Sequence, residues 1–467
     1  MVSFVSLLEG LLILNFIDLS SAGYIPLPFK CDYNSTNSVD VAVLGGGASG
    51  TYAAVRLHRQ NRTIALIEQE ERLGGQVNTY LDTETGTTVE YGVNQYTHTD
   101  AAIQLFEYLK VPYVRGTASS RQSATYFDFN TGGNFYKKNK SMSSEALETY
   151  QGQLARYPYL EDGFFLPDPI PEDLLLPFGN FSRKFGIEHS VASLSVGMGD
   201  VLSLPTIYVM KHYGSAIFQN KFIFTVHKNN QEIYDRAKEL LEPGVFLSSK
   251  SHRIQRNGDG DVRLCLETPT GTHLVHAKRL IMAVPPTLES LQNTGIDLGP
   301  EEETLLSNFS QTGYYTSLVR IPGLANDLSP LENADRNDTI FGLTKLPGIW
   351  RILQTAIPDL YIVEYGSKAV LSDDVVQRQM LTDLARLRDA GLISVKEEPQ
   401  IVRFSNHSPF YPYVGAKSIR RGFYQQLYAL QGRRNTFWTG SAFHVPDSSL
   451  LWRFTESLLS EVTAGLH

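Results

Sequence analysis

The sequence predicts an α/β protein: a parallel strand–helix–strand unit near its start, joined to an α+β part built on an antiparallel sheet. Three observations predict it. Asp40-Val-Ala-Val-Leu44 is a short apolar run of the kind that a strand buried on both faces requires. A glycine cluster, Gly45-Gly-Gly-Ala-Ser-Gly50, comes next and opens Thr51–Leu57, which has helical character. Far down the chain, residues 314–320, 338–344, 348–355 and 360–366 read as successive strands rich in Tyr, Ile and Leu, a meander that can wall a cavity.

Each residue of the opening unit has a job. Gly45 permits the tight strand-to-helix turn, Gly47 lets the backbone approach a pyrophosphate, and Gly50 lets the helix pack on the sheet. The N–H groups of Ala48 and Ser49 then lie at a helix start, where an anion is favoured. A second strand, Thr63-Ile-Ala-Leu-Ile67, ends in Glu68 and Gln69. An acid there accepts hydrogen bonds from an adenosine ribose and repels a 2′-phosphate, which disfavours NADP. The spacing alone is weak; strand, helix, second strand and terminal acid together make it specific.

Composition bounds the rest. At 467 residues, 42% hydrophobic and 19% charged, the chain is globular and long enough for about three domains, or two with one discontinuous. Its 41 basic against 49 acidic residues, net −8, exclude a nucleic-acid binder. Two cysteines, Cys31 and Cys265, exclude a Cys₄ zinc site; they either pair or stay as buried thiols. No metal site is expected. Met1–Ala22 has a short apolar block with Ser20 and Ala22 before Gly23, a secretory signal pattern, although no Lys or Arg opens it and Glu9 interrupts it. No segment is long and apolar enough for a stable membrane span. Sequons at Asn34, Asn61, Asn139, Asn180, Asn308, Asn337 and Asn406 fit a secreted or luminal glycoprotein.

The residues after Glu68 distinguish FAD from NAD. Glu71-Arg72-Leu-Gly74-Gly75-Gln76 resembles the second glycine signature of flavoprotein oxidases. Val89-Glu-Tyr-Gly92-Val93-Asn94-Gln95-Tyr96 is similar to the stretch beneath the flavin ring in such enzymes. Val262–Ala277 alternates like a hairpin and leads into Arg279–Pro286, similar to the strand that returns to an FAD domain. Thr436-Phe-Trp-Thr-Gly440-Ser441 is a strand ending in glycine, before a helix with Leu451, Phe454, Leu458 and Val462 on one face. A helix start aimed at the flavin would stabilise charge that develops on reduction.

Together these segments resemble the flavin amine oxidase superfamily, and within it the beta-cyclopiazonate dehydrogenase-like family of fungal secondary metabolism. His407-Ser-Pro-Phe-Tyr-Pro-Tyr413 and Ser448-Ser-Leu-Leu-Trp452 add to that resemblance. It implies a discontinuous Rossmann-type FAD-binding domain from residues 38–115, 220–290 and 416–467, and a substrate-binding domain from 116–219 and 291–415. It implies an FAD-dependent dehydrogenase or oxidative cyclase that takes a hydride from a C–H or C–N centre of a hydrophobic metabolite, with O₂ as candidate acceptor. The expected cofactor contacts are Gly45, Gly47, Ala48, Ser49, Gly50, Glu68, Gln69, Gly74, Gly75, Gln76, Gly92, Val93, Asn94, Gln95, Gly440 and Ser441.

The chain also departs from the family pattern. Amine oxidases carry a lysine near the flavin, whereas Phe309–Val319 has none; Gln76 and Glu70 stand where arginines are common. An amine or prenylcysteine-type oxidase, and a flavin-binding protein without turnover, are the alternatives. His407, Tyr315 and Tyr413 are the catalytic candidates, His407 as a base near neutral pH. Tyr96, His98 and Tyr411 are further pocket candidates, His98 also for a covalent flavin link. Elsewhere, Asn229 and Glu232 read as a capping pair for the helix up to Glu242, and Ser372 as the cap of a helix ending near Gly391. Oligomeric state cannot be read.

Overall fold

The computed structural model describes residues 29–117, 124–134, 142–257, 261–324, 330–338, 340–391 and 397–466. The expected leader Met1–Ala22 and the sequon at Asn139 lie outside these residues.

A 7-stranded mixed sheet carries the opening unit. Its spatial order is Val245–Phe246, Ile64–Ile67, Ser35–Leu44, Gly271–Met282, Asp261–Thr268 and Lys250–Asn257, with Thr436–Trp438 pairing beside Met282. Val41, Ala42 and Val43 are wholly buried: Val41 and Val43 cluster with helical residues such as Ala53 and Trp452, and Ala42 with Val262, Leu264 and Val275 of the hairpin strands. Asp261–Thr268 and Gly271–Met282 form the expected antiparallel hairpin. Strands of this sheet thus come from three separated stretches of chain.

The crossover helix, Ala48–Arg59, packs on the C-terminal helix, Ser448–Thr463. Three polar contacts fix their register. Arg56 donates twice to Glu456, at 2.6 and 2.8 Å, and the Tyr52 hydroxyl donates to the same carboxylate at 2.9 Å. The Trp452 indole donates to the Ala48 carbonyl at 3.0 Å, and its ring stacks on Tyr96. The last helix therefore holds the first turn of the crossover helix in place.

A second 7-stranded sheet runs Gln400–Asn406, Gly313–Arg320, Leu360–Ser367, Gly348–Gln354, Leu331–Asn333, Thr125–Asp128 and Gly133–Asn134. All its pairs are antiparallel except Leu331–Asn333 with Thr125–Asp128. Asp373–Asp389 lays Val376, Met380, Leu384 and Leu387 against one face. The other face packs Leu318 and Leu360 against Val89, of the short strand Thr88–Glu90. A small sheet of Tyr96–Thr97, Phe222–Thr225 and Tyr113–Gly116 joins the two parts.

Three local expectations are corrected. Residues 338–344 form no strand among the described residues: the Asp338 carboxylate accepts from the N–H groups of Phe341 and Leu343, so the backbone turns. The helix Gln231–Leu241 is not capped by Asn229 and Glu232. Its N-cap is Asn230, whose side chain is drawn away to Val93 O and Thr225, while Glu232 pairs with His227 and Arg236. Ser372 is the N-cap of its helix, but its hydroxyl makes no capping bond. Cys31 and Cys265 are joined in a disulfide with Cα atoms 5.8 Å apart, which decides between the two sequence readings.

A candidate dinucleotide crevice and its histidine wall

The opening strand and Ile64–Ile67 run parallel and end together at Leu44 and Ile67, where their loops line a cavity of about 760 Å³. That size suits a cofactor site, since such pockets span about 300–1,000 Å³. Gly45, Gly47, Ala48 and Ser49 line it, followed by Glu68, Gln69, Gly74, Gly75 and Gln76. Val93, Gly440, Ser441 and His407 line it too.

The glycine cradle is closed by backbone. Gly74 N–H donates to Gly46 O at 2.9 Å, and Gly45 N–H to Ile67 O at 2.8 Å. Gly75, at φ +53°, lies so near Gly47 that a Cβ on it would be 3.0 Å from the Gly47 Cα. No side chain caps the crossover helix, so its first N–H groups are left to a ligand. Arg72 does not reach the cavity. It donates to Leu73 O, Gly75 O, Gln231 and Asn78, and so braces the Gly-Gly turn. Lys250 is the one cationic side chain among the described lining residues. A diphosphate would be held chiefly by backbone N–H groups and the helix end.

Glu68 is buried, its Oε2 accepting from Gly46 N–H at 2.7 Å and its Oε1 from Glu70 N–H at 2.9 Å. Burial raises its pKa above the ordinary carboxylate value, and the N–H donors work against that rise. Its placement beside the glycine turn suits a ribose, and an adenosine end would continue past Ser249, Ser251 and Asn293. Nothing local in the sequence marks those last three. These features fit FAD: an uncapped helix start, an open cradle at Gly47 and a carboxylate at the end of the second strand.

Some expected contacts fall elsewhere. Gly50 lies beneath the cradle, where a Cβ would be 1.9 Å from Gly45 O. Gly92 packs on the Gln76 carbonyl; neither it, Asn94 nor Gln95 lines the cavity. The start of the C-terminal helix does reach the cavity through Ser448 and Leu451. Its Leu450 N–H is already taken by the N-cap Asp447, a buried carboxylate that also accepts from Thr97 and whose pKa burial raises. The charge at that helix end is thus partly neutralised from within.

The catalytic candidates divide sharply. His407 lines the cavity, only 4% exposed, although it sits inside a sequon whose Asn406 faces solvent. Burial, aided by the Arg72 charge, lowers its pKa to about 4. It is therefore neutral at physiological pH and a poor base, which corrects the expected role. Tyr315 is wholly buried on the far face of its strand: its hydroxyl donates to Leu371 O and accepts from Leu371 N–H. Tyr314, one residue earlier, faces the histidine instead, with ring centroids 5.5 Å apart. Tyr413 packs against Tyr208 and does not line the cavity. Nor do Tyr96, His98 or Tyr411; Tyr96 and Tyr411 are core side chains. Among the described residues no cluster of potential metal ligands occurs.

Comparison with known proteins agrees with this geometry. A family model for an NAD(P)-binding Rossmann-like domain matches residues 43–110. The chain is 33% identical over 460 residues to beta-cyclopiazonate dehydrogenase of Aspergillus oryzae, covering 97% of this chain and 99% of that protein. It is 34% identical to the FAD-dependent oxidoreductase oblC of Cochliobolus heterostrophus, covering 91% and 92% of the two chains. Among solved structures, a CLA-producing fatty acid isomerase from P. acnes superposes with a TM-score of 0.71 at 17% identity, over 91% of this chain and 98% of that one. Putrescine oxidase bound to putrescine gives a TM-score of 0.61 at 17% identity, over 92% and 100%. These two likenesses establish the fold, a Rossmann-type α/β architecture with a second, antiparallel sheet. The cofactor is FAD and the protein is an enzyme. From cradle, acid and full-length likeness together, the chain belongs to the family of FAD-dependent oxidoreductases that includes beta-cyclopiazonate dehydrogenase.

Proposed function

We propose that this oxidoreductase removes a hydride from a C–H or C–N centre of a neutral, hydrophobic secondary metabolite. The observation that carries the reading is the lining of the cavity away from the glycine cradle. Val93, Pro409, Phe410 and Leu451 give it an apolar wall, and His407 is neutral there. The one described carboxylate lining the cavity, Glu68, is bonded to backbone at the ribose end. A cationic amine would have no counter-charge beside that wall. Strand Gly313–Arg320 likewise holds no lysine. The names of the full-length relatives support a metabolite dehydrogenase.

When bound, FAD supplies the hydride acceptor. This chain's residues orient the donor carbon, keep water out through the apolar wall, and hold the cofactor by its diphosphate and ribose. Oxygen is the proposed terminal acceptor. The test is anaerobic: purified yellow protein is mixed with neutral polycyclic metabolites and with simple diamines. Bleaching of the flavin band by a neutral compound is expected; bleaching by diamines alone would overturn the reading.

We further propose a secretory location. The Cys31–Cys265 disulfide belongs to oxidising compartments, and the sequon asparagines Asn34, Asn61, Asn180, Asn308, Asn337 and Asn406 are all exposed. Native protein treated with an endoglycosidase is expected to lose mass. An unchanged mass together with two free thiols would place it elsewhere.

A further inference from the structure

The hydrogen bonds around His407 have a direction that can be read from chemistry. Arg72 Nη2 lies 2.8 Å from Asn78 Oδ1. A guanidinium can only donate, so that atom of Asn78 is the acceptor oxygen. The other end of the amide is then its NH₂ group, which lies 3.0 Å from His407 Nε2 and donates to Ser405 Oγ at 2.9 Å. A donor facing Nε2 requires a lone pair there, and in a neutral imidazole the proton then sits on Nδ1. The chain of constraint runs from Arg72 through Asn78 to a single tautomer. Asn78 is 7% exposed and His407 4%, so water does not readily compete.

Among the described residues the hydrogen bonds of the ring all fall on Nε2, and the residue lines the cavity. Its backbone carbonyl is gripped by Gln76 Nε2 at 3.0 Å. The titratable and charged groups around the ring are few. Arg72 lies behind Asn78 and disfavours an imidazolium; Tyr314 lies edge-on, its hydroxyl engaged with Glu364, which Arg351 pairs. Thr316 Oγ1, at 3.4 Å from Nε2, is a hydroxyl free to turn its hydrogen towards the same lone pair.

Resting on the oxidoreductase reading, we infer that Asn78 is a positioning residue that locks His407 as a neutral Nδ1–H donor, aimed at an sp² oxygen or nitrogen acceptor held in the cavity. The histidine does not take a proton from substrate. It gives a hydrogen bond to a group that becomes more negative during oxidation. Such an acceptor belongs either to the flavin ring or to a carbonyl on the substrate. Fixed N–H donors of this kind stabilise developing charge without reorganising.

The test uses the flavin-loaded full chain and Asn78→Asp. In the wild type, ¹⁵N-histidine NMR, with the His407 signal identified by its loss in His407→Asn, is expected to show a protonated Nδ1 and an unprotonated Nε2. A protonated Nε2 would overturn the inference whatever the enzyme's activity, and so independently of the oxidoreductase reading. In Asn78→Asp a carboxylate faces Nε2. It raises the histidine pKa towards or above about 6.5 and, once the ring is neutral, holds the proton on Nε2. The donor is then present in acid as imidazolium and lost as pH rises through that raised pKa. If the acceptor is the flavin, its visible band titrates in this variant without substrate, and its midpoint potential departs from the wild-type pH dependence over the same range. If it is a substrate carbonyl, the flavin band stays constant, while bleaching by the neutral metabolite falls about tenfold between about pH 5.5 and 9. A loss uniform across pH, with no titration of either signal, would mark Asn78 as merely structural and overturn the inference.

Discussion

Gly47→Val is expected to fold normally and to come off the column colourless. In the protein alone, a Cβ at position 47 meets nothing closer than the Gly75 Cα at 3.9 Å, and φ there is −72°, which any residue adopts. The polypeptide thus has room for a Cβ here, and the substitution is felt chiefly by what approaches the cradle. A branched side chain there fills the space a pyrophosphate needs. We expect at least about a hundredfold loss of FAD affinity, roughly 2.7 kcal/mol, with a melting temperature close to that of wild-type apoprotein. Gly50→Ala is the contrast: its Cβ would lie 1.9 Å from the Gly45 carbonyl oxygen, so it should lower the melting temperature before flavin enters the question. Flavin absorbance and thermal unfolding on the two variants separate ligand space from backbone packing. Full flavin occupancy in Gly47→Val would refute the placement of the diphosphate.

Arg256→Met is expected to cost about 3–5 kcal/mol of stability. The Arg256 side chain is 0% exposed and bonds to Asp297 Oδ1 at 2.8 Å and to both oxygens of Glu302 at 2.7 and 2.8 Å. Arg434 closes the cluster on Asp297. The group ties three distant stretches together: the edge strand Lys250–Asn257, the segment leaving the first sheet, and the turn before Thr436–Trp438. Methionine keeps the volume and takes from the buried Glu302 both of its guanidinium bonds, leaving Arg434 at 3.7 Å as its ion-pair partner. The sign with pH comes from Glu302, which Arg256 holds below its ordinary value. A depressed carboxylate stabilises the fold above its unfolded pKa and loses that contribution as pH falls through the folded one. In the variant Glu302 keeps, among the described residues, only the Gly299 N–H and Arg434 at 3.7 Å, so burial shifts it upward relative to the wild type. The gap between the two proteins should therefore be widest near neutral pH and narrow in acid. Urea unfolding at several pH values measures it; a constant gap would mean that lost packing, not lost pairing, is responsible.

What the sequence revealed about the site was what lies close together along the chain. The turn from Leu44 through Gly50 and the acid at Glu68 are local, and their spacing carries their chemistry. The histidine wall is different. Asn78 meets Ser405 and His407 across 327 and 329 residues, and nothing near Asn78 announces the pairing. Tyr314 and Tyr315 show a second limit. Side chains alternate across a strand, so adjacent tyrosines face opposite ways, and only the partner strands decide which one meets the cavity. Phe404 and Tyr365 claim Tyr315, leaving Tyr314 for His407 and Phe410. The fold class was legible because glycine turn, apolar strands and meander all pointed the same way. The cap expected at Asn229 failed because the helix begins one residue later, with Asn230 as N-cap, and that side chain is held by Val93 O, a partner far off in sequence.

The disulfide has a consequence for handling the enzyme. Cys265 is level with Leu274, which pairs with Thr36, whereas the cofactor end of the same strand is at Leu44. The two levels are nevertheless brought together, because His273, beside Leu274, packs on Phe246, which pairs with Ile67 at the cofactor end. Cys31 is thus tied to the hairpin strand on which Leu266, the residue after Cys265, pairs with the cavity-lining Ser251. A tether attached upstream of Cys31 would start from the hairpin that backs this wall, so an immobilised enzyme is better anchored elsewhere.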